Sequence, residues 1–137
     1  MINLLAFLTP KCNTFYLEYN STIRQTLEKI DVHKFSVVPL IDENGYYIST
    51  ISEGDILRYI KNNCNFDIKV AESVRINTLD KYRPYKALDI NSKLEEVIRL
   101  SLEQNFVPVV DDRGVYIGII KRKTIIDYLF DLNNRKE

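Results

Sequence analysis

The chain is poor in the groups that most often carry chemistry. Histidine occurs once, at His33, with no cysteine or serine at a recognisable spacing. It is read as an exposed or loosely packed side chain rather than a catalytic base. Cys12 and Cys64 lie far apart and form no metal-ligand pattern. With no secretion signal, both are read as reduced thiols of a cytoplasmic protein. There is no P-loop, no Gly-x-Gly-x-x-Gly and no cluster of metal ligands. No metal, no cofactor and no enzymatic activity are therefore expected. No apolar run approaches the length that spans a bilayer. The apolar stretch from Ile2 to Leu8 lacks a charged leader and a small-residue cleavage site, so it is a poor signal peptide. A net charge of one sign is also missing. Lys+Arg and Asp+Glu both number 19, which argues against a general nucleic-acid binder.

What the chain has instead is a repeat. Val38-Pro39-Leu40-Ile41-Asp42-Glu43-Asn44-Gly45 is followed 69 residues later by Val107-Pro108-Val109-Val110-Asp111-Asp112-Arg113-Gly114 (108 − 39 = 69). At that offset Ser36–Ile60 aligns on Asn105–Leu129 without a gap and with nine identities in 25 positions, too many for chance. The boundaries expected are 1–65 for the first repeat and 66–137 for the second. Half of a 137-residue chain buries little surface alone, so the halves are expected to share a core in one globular module.

The elements follow the same order twice. Thr14-Phe15-Tyr16-Leu17 reads as a strand. Ser21 is expected to cap a helix with Ile23, Leu27 and Ile30 on its apolar face. Ser36–Ile41 and Tyr46–Ile51 are strands joined by a Glu43-Asn44-Gly45 turn. Pro39 cannot donate to a ladder, which places it near a strand end, a bulge or an edge. Ser52 opens a helix carrying Ile56, Leu57 and Ile60. In the second half Tyr85–Ile90, a helix capped by Ser92, a hairpin and a final helix repeat the series, two residues tighter before the hairpin. Ile2–Leu8 reads as a turn or two of helix, and Phe66–Leu79 as a short helix with an irregular connection. The fold expected is α+β, mixed α/β: two strand-helix-strand-strand-helix repeats packed about a pseudo-two-fold axis.

These residues resemble the cystathionine beta-synthase (CBS) domain, which occurs in tandem pairs called Bateman modules. The pattern is apolar-Pro-Val-Val-Asp-x-x-Gly, a strand, then Gly-apolar-apolar-Thr/Ser-x-x-Asp opening a helix. The likeness covers about Leu8 to Phe130, and the layout is similar to small stand-alone CBS-pair proteins of Gram-positive bacteria. It implies a non-enzymatic regulatory module that binds AMP, ADP, ATP or another adenosyl compound in a cleft between the repeats, with cyclic di-AMP as an alternative ligand. It also implies a homodimer, and an unknown effector protein to carry the output. The other reading is a dimerisation module that needs no ligand.

The resemblance carries over residue by residue. Ser52 and Asp55 match the hydroxyl and carboxylate of the first motif. A carboxylate can accept two hydrogen bonds from a ribose, and a helix start can receive a phosphate. Ser-x-x-Asp is equally a capping box. Ser49 stands where the family has glycine. In the second motif Gly118 is present, but Lys121 replaces the hydroxyl and Thr124 the aspartate of the family pattern. The adenine positions are Tyr16, Phe35, Ser36 and Val37 in the first repeat and Ala87, Asn105 and Phe106 in the second; for the apolar ones, plain core packing is the other reading. Lys121, Arg122 and Lys123 sit at a helix N-terminus, where cations are unfavourable. They are read either as a phosphate site or as a solvated basic turn or a contact with an acidic partner protein.

Overall fold

The computed structural model describes residues 3–33 and 36–135. The chain packs as two compact units that cross the sequence repeats. One holds residues 15–84; the other joins residues 3–14 to residues 85–135.

In the unit of residues 15–84, strand β2 (Leu17–Glu18) leads through helix α1 (Ile23–His33) to a hairpin of β3 (Val37–Ile41) and β4 (Tyr47–Ser52), then to α2 (Glu53–Asn63). The sheet order is β2-β3-β4, with β2 parallel and β4 antiparallel to β3. A short helix α3 (Ile68–Ala71) and a 3₁₀ turn (Ile76–Thr78) follow. The second unit begins with a 3₁₀ turn (Leu4–Phe7) and a two-residue strand β1 (Thr9–Pro10). It then takes β5 (Leu88–Asp89), α4 (Leu94–Ser101), β6 (Phe106–Val110), β7 (Tyr116–Lys121) and α5 (Arg122–Arg135). Its sheet order is β1-β7-β6-β5. The expected strand-helix-strand-strand-helix order therefore appears in both halves.

The repeat is exact in register. Pro39 faces Thr50 and Pro108 faces Ile119 (108 − 39 = 119 − 50 = 69), and each hairpin shifts register one residue after its proline. The spacing of aspartate and glycine shared by the two repeats is turn chemistry. Asp42 Oδ1 accepts the N–H groups of Asn44 and Tyr46, both at 2.9 Å. Asp111 Oδ1 accepts those of Arg113 and Val115 at 2.9 and 3.0 Å. Gly45 and Gly114 close the turns at φ 87° and 88°, where a side chain would be strained. The backbone N–H of Val115 is the largest influence holding the Asp111 carboxyl below its ordinary pKa.

Three expectations are corrected in detail. α1 is capped by Thr22 rather than Ser21: Thr22 Oγ1 accepts from Gln25 N and Gln25 Oε1 from Thr22 N, a reciprocal box one residue on. α4 opens after Lys93, not Ser92, and Lys93 N donates to Glu96 Oε2. The first strand of each repeat shrinks to two residues, because parallel pairing starts at Leu40 and Val109, after prolines that have no N–H. Pro39 lies in a middle strand beside a bulge, one of the placements expected for a residue with no N–H.

The buried residues of each unit form a cluster of their own. Ile23, Val38, Leu40, Ile51 and Ile56 are joined by Ala71, Ile76 and Leu79 from the connecting segment. Val97, Val107, Val109, Ile120 and Ile125 are joined by Leu4, with Phe7 and Leu8 packed against them. Each half is thus enlarged by the segment that precedes the other half in sequence. β1 lies antiparallel on β7, with Pro10 opposite Gly118. A Cβ at Gly118 would stand 2.2 Å from the Thr9 carbonyl oxygen, and its φ is +151°. Glycine is needed there by the strand laid over it. At Ser49, β4 is an end strand of its sheet, and the serine is tolerated.

Gly118→Ala should therefore lower the unfolding free energy by about 1–3 kcal/mol. Ser49→Gly should cost less than about 1 kcal/mol. Urea denaturation reads both, and equal tolerance at the two positions would contradict the role given to β1.

Candidate functional site

The first candidate site is the start of α2. Ser52 ends β4 and caps the helix: its Oγ accepts from Asp55 N at 3.1 Å, and Ser52 N donates to Asp55 Oδ2 at 3.0 Å. This capping box is built by the sequence alone. What the sequence does not show is the other oxygen. Asp55 Oδ1 accepts from Arg58 Nη2 at 2.6 Å and from the backbone N–H of Tyr82 at 2.9 Å, 27 residues along the chain. The carboxylate is only 3 % exposed, whereas the Arg58 side chain is 47 % exposed. Asp55 is therefore a cap, an ion-pair partner and a tether for residues 81–84 at once.

Val37 faces Ser52 across the ladder, and Ser36 C=O accepts from Glu53 N at 3.0 Å. The structure thus brings Ser36, Val37, Ser52 and Asp55 to one strand–helix junction. Tyr16 is half-buried just before β2. Phe35 and the side chain of His33 lie outside the described residues.

The second unit builds the same junction with different chemistry. Phe106 faces Lys121, and Asn105 C=O accepts from Arg122 N at 3.0 Å. Thr124 takes the place of Asp55 (124 − 55 = 69), and the first turn of α5 has no acidic residue. The basic run is not uniform. Arg122 Nε donates to Ser101 C=O at 2.7 Å, so this guanidinium satisfies the C-terminal end of α4. Lys123 Nζ pairs with Asp127 at 2.9 Å, and hydrogen bonding to that carboxylate raises the lysine pKa. Lys121 is exposed at the end of β7. The cost of placing cations at a helix start is offset by these two partners.

Two residues around this junction were not legible in the sequence. Gln104 is buried and clamps Lys86, accepting from its N–H at 2.8 Å and donating to its carbonyl and to that of Phe106 at 3.1 Å. The ring of Tyr85 meets Phe106 edge-on at 4.8 Å, and its hydroxyl accepts from Asn105 N at 3.3 Å. Half-buried Ala87 follows this clamped stretch. A glutamine directly before an expected buried strand was the one available signal. Among the described residues, no group of His, Cys, Asp or Glu could hold a metal ion, and no helix is long and apolar enough to cross a membrane.

The family model for the CBS domain matches residues 8–62 and 81–131. A curated relative, the chloroplastic CBS domain-containing protein CBSX2 of Arabidopsis thaliana, is 25 % identical over 155 aligned positions. That alignment covers 96 % of this chain and 65 % of the relative, so the chain spans less than two thirds of the relative's length. CBSX2 has been solved in complex with AMP; this chain is similar to that structure with a TM-score of 0.74 at 23 % identity, covering 97 % of one chain and 99 % of the other. CbpB of Listeria monocytogenes, solved with c-di-AMP, is similar with a TM-score of 0.84 at 16 % identity, covering 97 % and 98 %.

Because Asp55 accepts from three donors, an amide there must turn its NH₂ toward at least one of them. Asp55→Asn is expected to lower stability by about 1–3 kcal/mol, more than the roughly 1 kcal/mol of Ser52→Ala, which removes only one capping acceptor. Chemical denaturation ranks the two, and the reverse order would reduce Asp55 to its capping role.

Proposed function

The chain belongs to the CBS domain family, and on that premise we propose that it is a non-enzymatic regulatory module for an adenosyl ligand, its two repeats (1–65 and 66–137) working together. The observation that carries this reading is Ser52 and Asp55, a hydroxyl and a buried carboxylate held together at a helix start beside Ser36 and Val37. A vicinal diol fits a carboxylate, and the adenine face would rest on Ser36, Val37 and Tyr16, with Phe35 next to them in sequence. In the second repeat, Ala87, Asn105 and Phe106 line the corresponding place, while Lys121, with Arg122, Lys123 and Thr124, offers a cationic end for phosphate. AMP and c-di-AMP are the ligand classes favoured, because similar structures hold them. The protein is read as cytoplasmic, handing its state to a separate effector protein.

A second reading, a dimerisation module independent of ligand, is favoured by one feature. Ile126, Leu129 and Phe130 of α5 are all exposed at the spacing of a single helix face. A dimer by light scattering that no nucleotide alters would support it over the first.

The first reading is tested by thermal shift and calorimetry with AMP, ADP, ATP, S-adenosylmethionine and c-di-AMP. A ligand at 100 times its dissociation constant should add about 2.7 kcal/mol of stability, and no response to any of them at millimolar concentration would overturn the reading. Lys121→Ser should weaken a phosphate-bearing ligand by up to about fivefold, as expected for one exposed charge pair, and leave adenosine binding unchanged. Lys121 tests this more cleanly than Arg122, whose loss also strips the Ser101 carbonyl of its donor.

A further inference from the structure

We propose that residues 81–84 are a strap that occupies Asp55, and that a ribose must lift the strap to bind. Ligand binding is thereby converted into release of the stretch that leads out of this unit. The inference rests on Asp55 being the ribose acceptor, as read above.

Counting lone pairs gives the conflict. A carboxylate offers roughly four acceptor positions. Three are filled, by Ser52 N, Arg58 Nη2 and Tyr82 N. A vicinal diol needs two, and the group is nearly sealed from solvent. At least one donor has to leave. Ser52 N belongs to the helix cap, and its loss would leave a helix-end amide without a partner. The other two donors are free to turn to water. They are also coupled: the Tyr82 ring lies 5.3 Å from the Arg58 guanidinium and 5.2 Å from that of Arg83. Moving Arg58 off Asp55 disturbs the stack that holds the strap down.

The closed strap is held against resistance. Arg83 sits at φ +55°, a left-handed conformation uncommon for arginine. Lys81 Nζ donates to the Ile76 and Leu79 carbonyls at 3.2 and 3.0 Å, and its burial pulls its pKa down, Asp55 and Asp80 opposing. That anchor fixes the upstream end. Pro84 is the last residue of the unit, after which the chain enters the other one. The pivot therefore lies between Lys81 and Pro84, and opening relaxes Arg83.

The test combines amide hydrogen exchange with affinity, using AMP and c-di-AMP as probes. In the wild-type chain, saturation with a nucleotide that binds should speed exchange of the Tyr82 amide at least tenfold while the Ser52 amide stays protected. Tyr82→Ala keeps the N–H but removes the stacked ring, and should bind that nucleotide about two- to fivefold more tightly, the factor carried by one exposed cation–π contact. Binding that leaves the Tyr82 amide protected, or equal or weaker affinity in Tyr82→Ala, overturns the strap alone. If neither nucleotide binds the wild type or the variant, the Asp55 reading falls and the strap falls with it.

Discussion

A proline in the middle strand of each sheet has no N–H to give a parallel neighbour. Pro39 and Pro108 therefore delay the parallel ladder until Leu40 and Val109. The first strand of each repeat becomes a two-residue contact, and the residues before it, Tyr16 and Ala87, are left outside regular structure. On its other side the same strand pairs through the proline with β4 or β7, which delivers each following helix start next to Ser36 or Asn105. The junctions that make candidate sites exist because one side of the middle strand is fully laddered and the other is not.

On this shared frame the two repeats have reversed their electrostatics. α2 begins with Glu53 and Asp55 and carries Arg58 one turn on; α5 begins with Arg122 and Lys123 and carries Asp127 one turn on. In the first repeat the carboxylate is at the helix start, where the dipole favours it. In the second, the arginine at the helix start is drawn to the open carbonyl end of α4. The repeated scaffold thus carries a carboxylate at one helix start and cations at the other.

The hairpins, their turns and the capping box at Ser52 were legible in the sequence because each is closed by residues within five positions of one another. The Asp42 and Asp111 turns and the glycines beside them are local chemistry. Caps at Ser21 and Ser92 were misplaced by one residue, because Thr22 and Lys93 stand next to them: the reciprocal bonds of Thr22 with Gln25, and the bond from Lys93 N to the Glu96 carboxylate, decide the start. The exchange of leading segments between cores was not legible. Leu4 and Ile76 are simply apolar in sequence, and nothing local says which core they enter. The same limit hid Tyr82 from Asp55 and Lys86 from Gln104: a backbone amide leaves no mark in the pattern of side chains.

The exchanged segments also set an order of assembly on the ribosome. The unit of residues 15–84 contains every element of its own core once Pro84 has emerged. The stretch from Leu4 to Pro10 meets its strand only when Gly118 and Ile119 have been made. At about 5–20 residues per second, that apolar stretch waits on the order of 5–20 s with its partner unwritten, while a finished neighbour stands downstream. Synthesis thus makes the earliest residues of the described chain among the last to be buried.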